Sequence, residues 1–133
     1  MHAQTGGCRP PLIALVDDDR SVRNAVGRLL QSVGFRVALF ATAEDFLQAP
    51  QHQETACLIV DLCMPGMNGL ELQRQLAVRQ RHLPIIFISA YGDANTRAQA
   101  LQAGAVAFLH KPFRNTVLLD TIDAALARDS GST

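Results

Sequence analysis

Five short apolar runs alternate with segments of helical apolar period, and this alternation limits the fold more than any other feature of the chain: LIALV at 12–16, FRVALF at 35–40, CLIV at 57–60, IIFI at 85–88 and AVAFL at 105–109. Runs 1, 3, 4 and 5 are continuously apolar, the signature of parallel strands covered on both faces, whereas Arg36 interrupts the second and marks it as an edge. Parallel neighbours need crossover connections, which are right-handed in nearly all sheets. The expectation is therefore an α/β chain with a doubly wound five-stranded parallel sheet, helices on both faces, and the flavodoxin-like order 2-1-3-4-5.

The intervening segments carry their own start and stop signals. Val22, Val26, Leu29, Leu30 and Val33 recur at helical spacing, with Asp19 placed to cap the start and Gly34 to supply a left-handed residue after the end. Thr42 with Asp45 three residues on predicts a short helix at 43–48. Leu72 and Leu76 are the expected inner residues of a polar-faced helix running through Gln73 to Arg81, and a fourth helix at about 94–103 is poor in large anchors. A fifth begins near Asn115, turns Leu118, Leu119, Ile122, Ala125 and Leu126 to one side, and fades into the polar RDSGST.

A chain of 133 residues makes one domain, expected at 11–128, between a flexible tail at 1–10 and a tail or linker at 129–133. With 48% hydrophobic and 18% charged residues it can bury a core and is not disordered. Twelve basic and twelve acidic side chains cancel, which removes any overall electrostatic footprint for nucleic acid or an anionic membrane. No run approaches the roughly 18 apolar residues of a membrane span. The first eleven residues hold no signal core, and Cys8, Cys57 and Cys63 lack a disulfide-framework spacing. A cytoplasmic protein is expected.

In doubly wound sheets ligands bind outside the carboxyl ends of the strands. Here those ends are Asp17-Asp18-Asp19, Asp61, Ser89 and His110-Lys111-Pro112. Carboxylates brought close together repel unless a cation sits among them, and an oxygen-only set favours a hard ion such as Mg²⁺, with Mn²⁺ as a substitute. Asp19 reads as a helix cap alone, and Asp17, Asp18 and Asp61 as ligands. Eleven of the twelve basic residues are Arg, so the single lysine, Lys111, is set apart as a compact point charge for an oxyanion. A carboxylate nucleophile, a divalent cation, an ammonium and a hydroxyl describe formation of an aspartyl phosphate. Cys57 reads as core, and the histidines as solvated or supporting residues.

With VDDD after the first strand, IVDLCMPGMNGLEL around the third, FISAYGD at the fourth and GAVAFLHKPF around the fifth, the chain resembles the response-regulator receivers of two-component signalling over about residues 12 to 127. Within them it looks most like receivers of FixJ/NarL-like transcription regulators. The resemblance implies that Asp61 accepts a phosphoryl group from a sensor histidine kinase and that Asp17, Asp18, Asp61 and the backbone carbonyl of Cys63 hold Mg²⁺. It further implies that Ser89 and Lys111 contact the phosphate, that Ser89 and Phe108 form the switch, and that the Lys111-Pro112 bond is cis.

The module is then a signalling receiver rather than an enzyme proper, one that promotes its own Mg²⁺-dependent phosphorylation. Its helix 4, strand 5 and helix 5 face would serve a phosphorylation-dependent homodimer or a DNA-binding output domain outside this chain. A stand-alone regulator is the alternative. An aspartyl-nucleophile phosphatase is disfavoured, because the position of its acid/base Asp is occupied by Cys63. Cys63 and Tyr91 flank the phosphate in such a site and are expected to tune its hydrolysis toward a slow rate, since neither is well suited to orient water.

Overall fold

The computed structural model describes residues 10–62, 66–79, 82–90 and 94–131. Its strands are β1 (Leu12–Val16), β2 (Arg36–Phe40), β3 (Thr55–Asp61), β4 (Ile85–Ser89) and β5 (Ala107–His110). They form one parallel sheet in the order β2-β1-β3-β4-β5. The helices are α1 (Arg20–Ser32), α2 (Ala43–Gln48), α3 (Gly69–Val78), α4 (Ala94–Gln102) and α5 (Asn115–Gly131), with a 3-10 turn at Pro50–Glu54.

Alternate residues of the central strands feed two cores. Ala14, Val16, Leu58, Val60 and Phe87 pack with Phe46 of α2, Leu72 and Leu76 of α3 and Ala100 of α4. Ile13, Leu15, Cys57, Ile59, Ile86 and Ile88 pack on the other face with Val26 and Leu30 of α1 and Leu118, Ile122 and Ala125 of α5. Each large side chain fully withdrawn from water contributes about 1.5–3 kcal/mol, so β1, β3 and β4, apolar on both faces, carry most of the driving force.

The helix signals behave as their chemistry requires. Asp19 accepts from the amides of Ser21 at 2.8 Å and Val22 at 3.3 Å, and Thr42 Oγ1 from the Asp45 amide at 3.0 Å. After α1, Phe35 N–H donates to the Leu30 carbonyl and Gly34 N–H to that of Gln31, with Gly34 at φ +98° supplying the left-handed residue such a closure needs.

Several boundaries differ from the sequence reading. β5 begins at Ala107 rather than 105, because Ala105 is taken up in closing α4. Its residues are half-buried or exposed, since it is the second edge of the sheet rather than a doubly covered strand. α3 starts at Gly69, where Asn68 Oδ1 accepts from the Glu71 amide at 3.0 Å, and ends at Val78 instead of Arg81. Its polar face is not uniformly wet, because Gln73 is buried. α5 runs on to Gly131 instead of fading at Arg128.

Gly69 brings the start of α3 close to the sheet. A methyl group there would lie 2.7 Å from Phe87 Cε1 and 3.2 Å from the Asp61 carbonyl oxygen, with Phe87 itself fully buried. Gly69→Ala should lower the unfolding free energy by about 1–3 kcal/mol, the usual cost of overpacking. Urea unfolding measures it, and an unchanged midpoint would show that α3 moves outward without penalty.

Candidate functional site

Parallel pairing puts the carboxyl ends of all five strands on one edge, and the places of Asp17, Asp61, Ser89 and Lys111 follow from that register. Asp17 continues β1, its amide donating to the Phe40 carbonyl at 3.1 Å, and is fully buried. Asp61 ends β3 and is also buried, while the next amide, that of Leu62, donates to the Ile88 carbonyl at 2.9 Å. Ser89 ends β4, fully buried. Lys111 follows β5, with its own amide donating to the Ser89 carbonyl at 2.8 Å.

The side chains converge. Carboxylate oxygens of Asp17, Asp18 and Asp61 lie within 4.8 Å of one another, Asp18 being the exposed member. Lys111 Nζ donates to Asp17 Oδ2 at 2.8 Å and to Asp61 Oδ2 at 3.1 Å. The other oxygen of Asp17 accepts the Asp19 amide at 2.8 Å, which fixes the turn that carries Asp18. Burial pulls the Lys111 ammonium down, but the hydrogen bonds and charges of Asp17 and Asp61 together outweigh it and hold the group above the ordinary lysine value. A group raised in this way is charged throughout the neutral range, and its stabilising contribution fades only as pH climbs through that raised value.

A donor set of three carboxylates around one ammonium keeps two formal negative charges, in a cluster open to solvent through Asp18. Oxygen ligands, that residual charge and room for water suit a hard divalent cation such as Mg²⁺, which keeps several waters and takes few protein carboxylates. The residues present therefore fit the ion expected from the sequence.

Phe108 lies below this edge. It pairs with Phe87 across β4 and β5 and is half-buried against the α2–α4 side core. The Lys111-Pro112 peptide bond is cis. Cys63 and Tyr91 lie outside the described residues, as does Cys8.

Two residues that the sequence reading did not single out are bonded to this framework. Arg23, one turn into α1, donates from Nη1 to the Asp17 carbonyl at 2.7 Å and braces the end of β1. Its place four residues after the capping Asp19 was the available signal. Gln73 Nε2 donates to the Ala100 carbonyl at 3.2 Å inside the protein, a partner 27 residues away that no local pattern announces.

Residues 13–123 match the family model of the response regulator receiver domain. Nodulation protein W of Bradyrhizobium diazoefficiens is 42% identical over 118 residues, covering 89% of this chain and 52% of that protein. The transcriptional regulatory protein TdiR of Thauera aromatica is 47% identical over 115 residues, covering 86% and 51%. Among solved structures, the response regulator StyR superposes with a TM-score of 0.85 at 42% identity, covering 92% of this chain and 62% of that one. The chain spans about half the length of these two curated relatives. The strand-end chemistry, the sheet order and these similarities agree, and the chain belongs to the response regulator receiver domain family.

Proposed function

We propose that this chain is the phosphoacceptor module of a two-component system, with Asp61 as the residue phosphorylated. The observation that carries the reading is the shared ammonium: Lys111 Nζ stands 2.8 Å from Asp17 and 3.1 Å from Asp61 at the edge where three carboxylates meet. A lone structural ion pair would need only one of these acids.

A carboxylate oxygen of Asp61 attacks phosphorus of a kinase phosphohistidine, forming the new P–O bond. The P–N bond breaks, and its electron pair leaves with the imidazole nitrogen, which takes a proton from solvent. Lys111, already anchored by Asp17, follows the charge from the Asp61 carboxylate to the phosphoryl oxygens, and the Ser89 hydroxyl donates to one of them. Asp17, Asp18 and Asp61, with the backbone carbonyl of Cys63 that the family resemblance implies, would hold a divalent cation, which would supply charge neutralisation at the transferring phosphoryl group. Because these groups are positioned before the donor arrives, little reorganisation accompanies the transfer.

The output reading is control of transcription in the cytoplasm. TdiR is named a transcriptional regulatory protein and is about twice as long as the segment matched here, which supports an output domain outside this chain. The α4–β5–α5 face, with half-buried Phe108 and exposed Leu101 and Val117, is the surface that would change on phosphorylation and support a homodimer. Phosphate loss is expected to be slow, the sequence positions read as tuning it being Cys63 and Tyr91.

Incubation with acetyl phosphate and Mg²⁺, followed by mass spectrometry of intact protein and peptides, should place one phosphoryl group on Asp61. Asp61→Asn or chelation of the metal should abolish incorporation, and phosphate on a histidine would overturn the mechanism. Lys111→Arg keeps the charge but replaces a point donor with a planar fork, and should slow phosphorylation by about 10- to 100-fold. A variant with the rate of the wild type would show that the geometry of the ammonium is immaterial.

A further inference from the structure

Among the five helices, α4 is the one least tied to the core. Ala100 is its one buried residue among those described, whereas α3 buries Gly69, Leu72, Gln73 and Leu76. The C-terminal end of α4 is closed by the backbone: Gly104 N–H donates to the Leu101 carbonyl at 3.1 Å and Ala105 N–H to the Ala100 carbonyl at 3.1 Å, with Gly104 at φ +107°. The Ala100 carbonyl is thus already satisfied when it accepts a second hydrogen bond, from Gln73 Nε2 at 3.2 Å.

That second bond is dictated by Gln73. A buried amide left without a partner costs about 1–3 kcal/mol, so its side chain is held to the one carbonyl it is seen to reach. An apolar residue would fill the same position in a helix whose neighbouring inward residues, Leu72 and Leu76, are apolar. Gln73 also lies one turn beyond Gly69, which abuts the Asp61 carbonyl and Phe87. Past Ala105 the chain enters β5, where Val106 N–H donates to the Ile85 carbonyl at 2.8 Å and Phe108 pairs with Phe87. A single helix therefore touches both the Asp61 segment and the closure of α4.

We propose that Gln73 is a positioning residue that latches the C-terminal end of α4 to α3, and so opposes any phosphorylated arrangement in which α4 leaves the place described here. The second half of this statement rests on the function proposed above. Site-resolved hydrogen exchange of the full chain without phosphodonor tests the first half. Gln73→Met keeps length and apolar bulk but removes the donor, and amides of α4 through Ala105 should exchange roughly 2- to 12-fold faster, the span of one net hydrogen bond. Amides of β1 and β3 should keep their rates. Gln73→Glu preserves shape yet, above the pH at which its carboxyl ionises, sets an acceptor-only carboxylate against a carbonyl, and should then loosen α4 at least as much. Wild-type protection of α4 in either variant, or equal acceleration in every element, would overturn the latch.

Reciprocity supplies the second test, since a group that opposes the phosphorylated arrangement must weaken binding of a phosphoryl mimic. Half-saturation by beryllofluoride with Mg²⁺ should fall by up to about the same factor in Gln73→Met. Unchanged affinity would overturn the coupling. Wild-type protein that binds no beryllofluoride would instead strike the proposed function, and the exchange result would stand.

Discussion

One ammonium shared between two buried carboxylates organises the functional edge of this molecule. Lys111 follows β5, yet it bonds acids at the ends of β3 and β1, reaching across the end of β4. With strands about 4.8 Å apart, its partners belong to segments two and three strands away. The reach works only because the Lys111 amide is pinned to the Ser89 carbonyl and the Asp17 carboxylate is oriented by the Asp19 amide. Removing the lysine would take from Asp17 and Asp61 the ammonium they share in a buried setting, where lost charge compensation is costly.

What could be read from the sequence divides along the range of the interactions. Strand-end residues were legible because a parallel sheet brings all carboxyl ends to one edge, so Asp17, Asp61, Ser89 and Lys111 could be grouped without coordinates. Caps were legible for a similar reason: Asp19, Thr42 and Gly34 act on backbone within five residues. Burial of Gln73 was not, since its partner sits on another helix and glutamine is ordinarily a surface residue. The start of β5 was misplaced because Ala105 and Val106 are apolar like the strand that follows, while hydrogen bonding assigns Ala105 to the closure of α4. Apolar composition reports burial, and only pairing reports where a strand begins.

The helices that cover the sheet are anchored unequally. On one side α1 and α5 pack Val26, Leu30, Leu118, Ile122 and Ala125 against the face of the sheet, and these long helices hold the framework on which Asp17 and Lys111 depend. On the other side α4 contributes Ala100 alone, over an edge strand that is itself only half-buried. Local stability in proteins follows the density of buried apolar contact, so the order of firmness here is a rigid β1–β3–β4 centre, firm α1 and α5, and a lightly held α4 with β5.

This gradient bears on how a chemical event at Asp61 could be felt at a distance. An added phosphoryl group cannot reshape a centre packed as tightly as β1, β3 and β4, because moving those strands would forfeit several kcal/mol of burial. It can redistribute α4, whose described attachments include one small buried side chain and one amide hydrogen bond, and reorient the half-buried aromatic ring of Phe108 on β5. A population shift needs only a few kcal/mol of differential interaction. Attachments of that size are found on the α4–β5 side and not in the centre, so the firmness of the site and the looseness of the responding face are two requirements of one device.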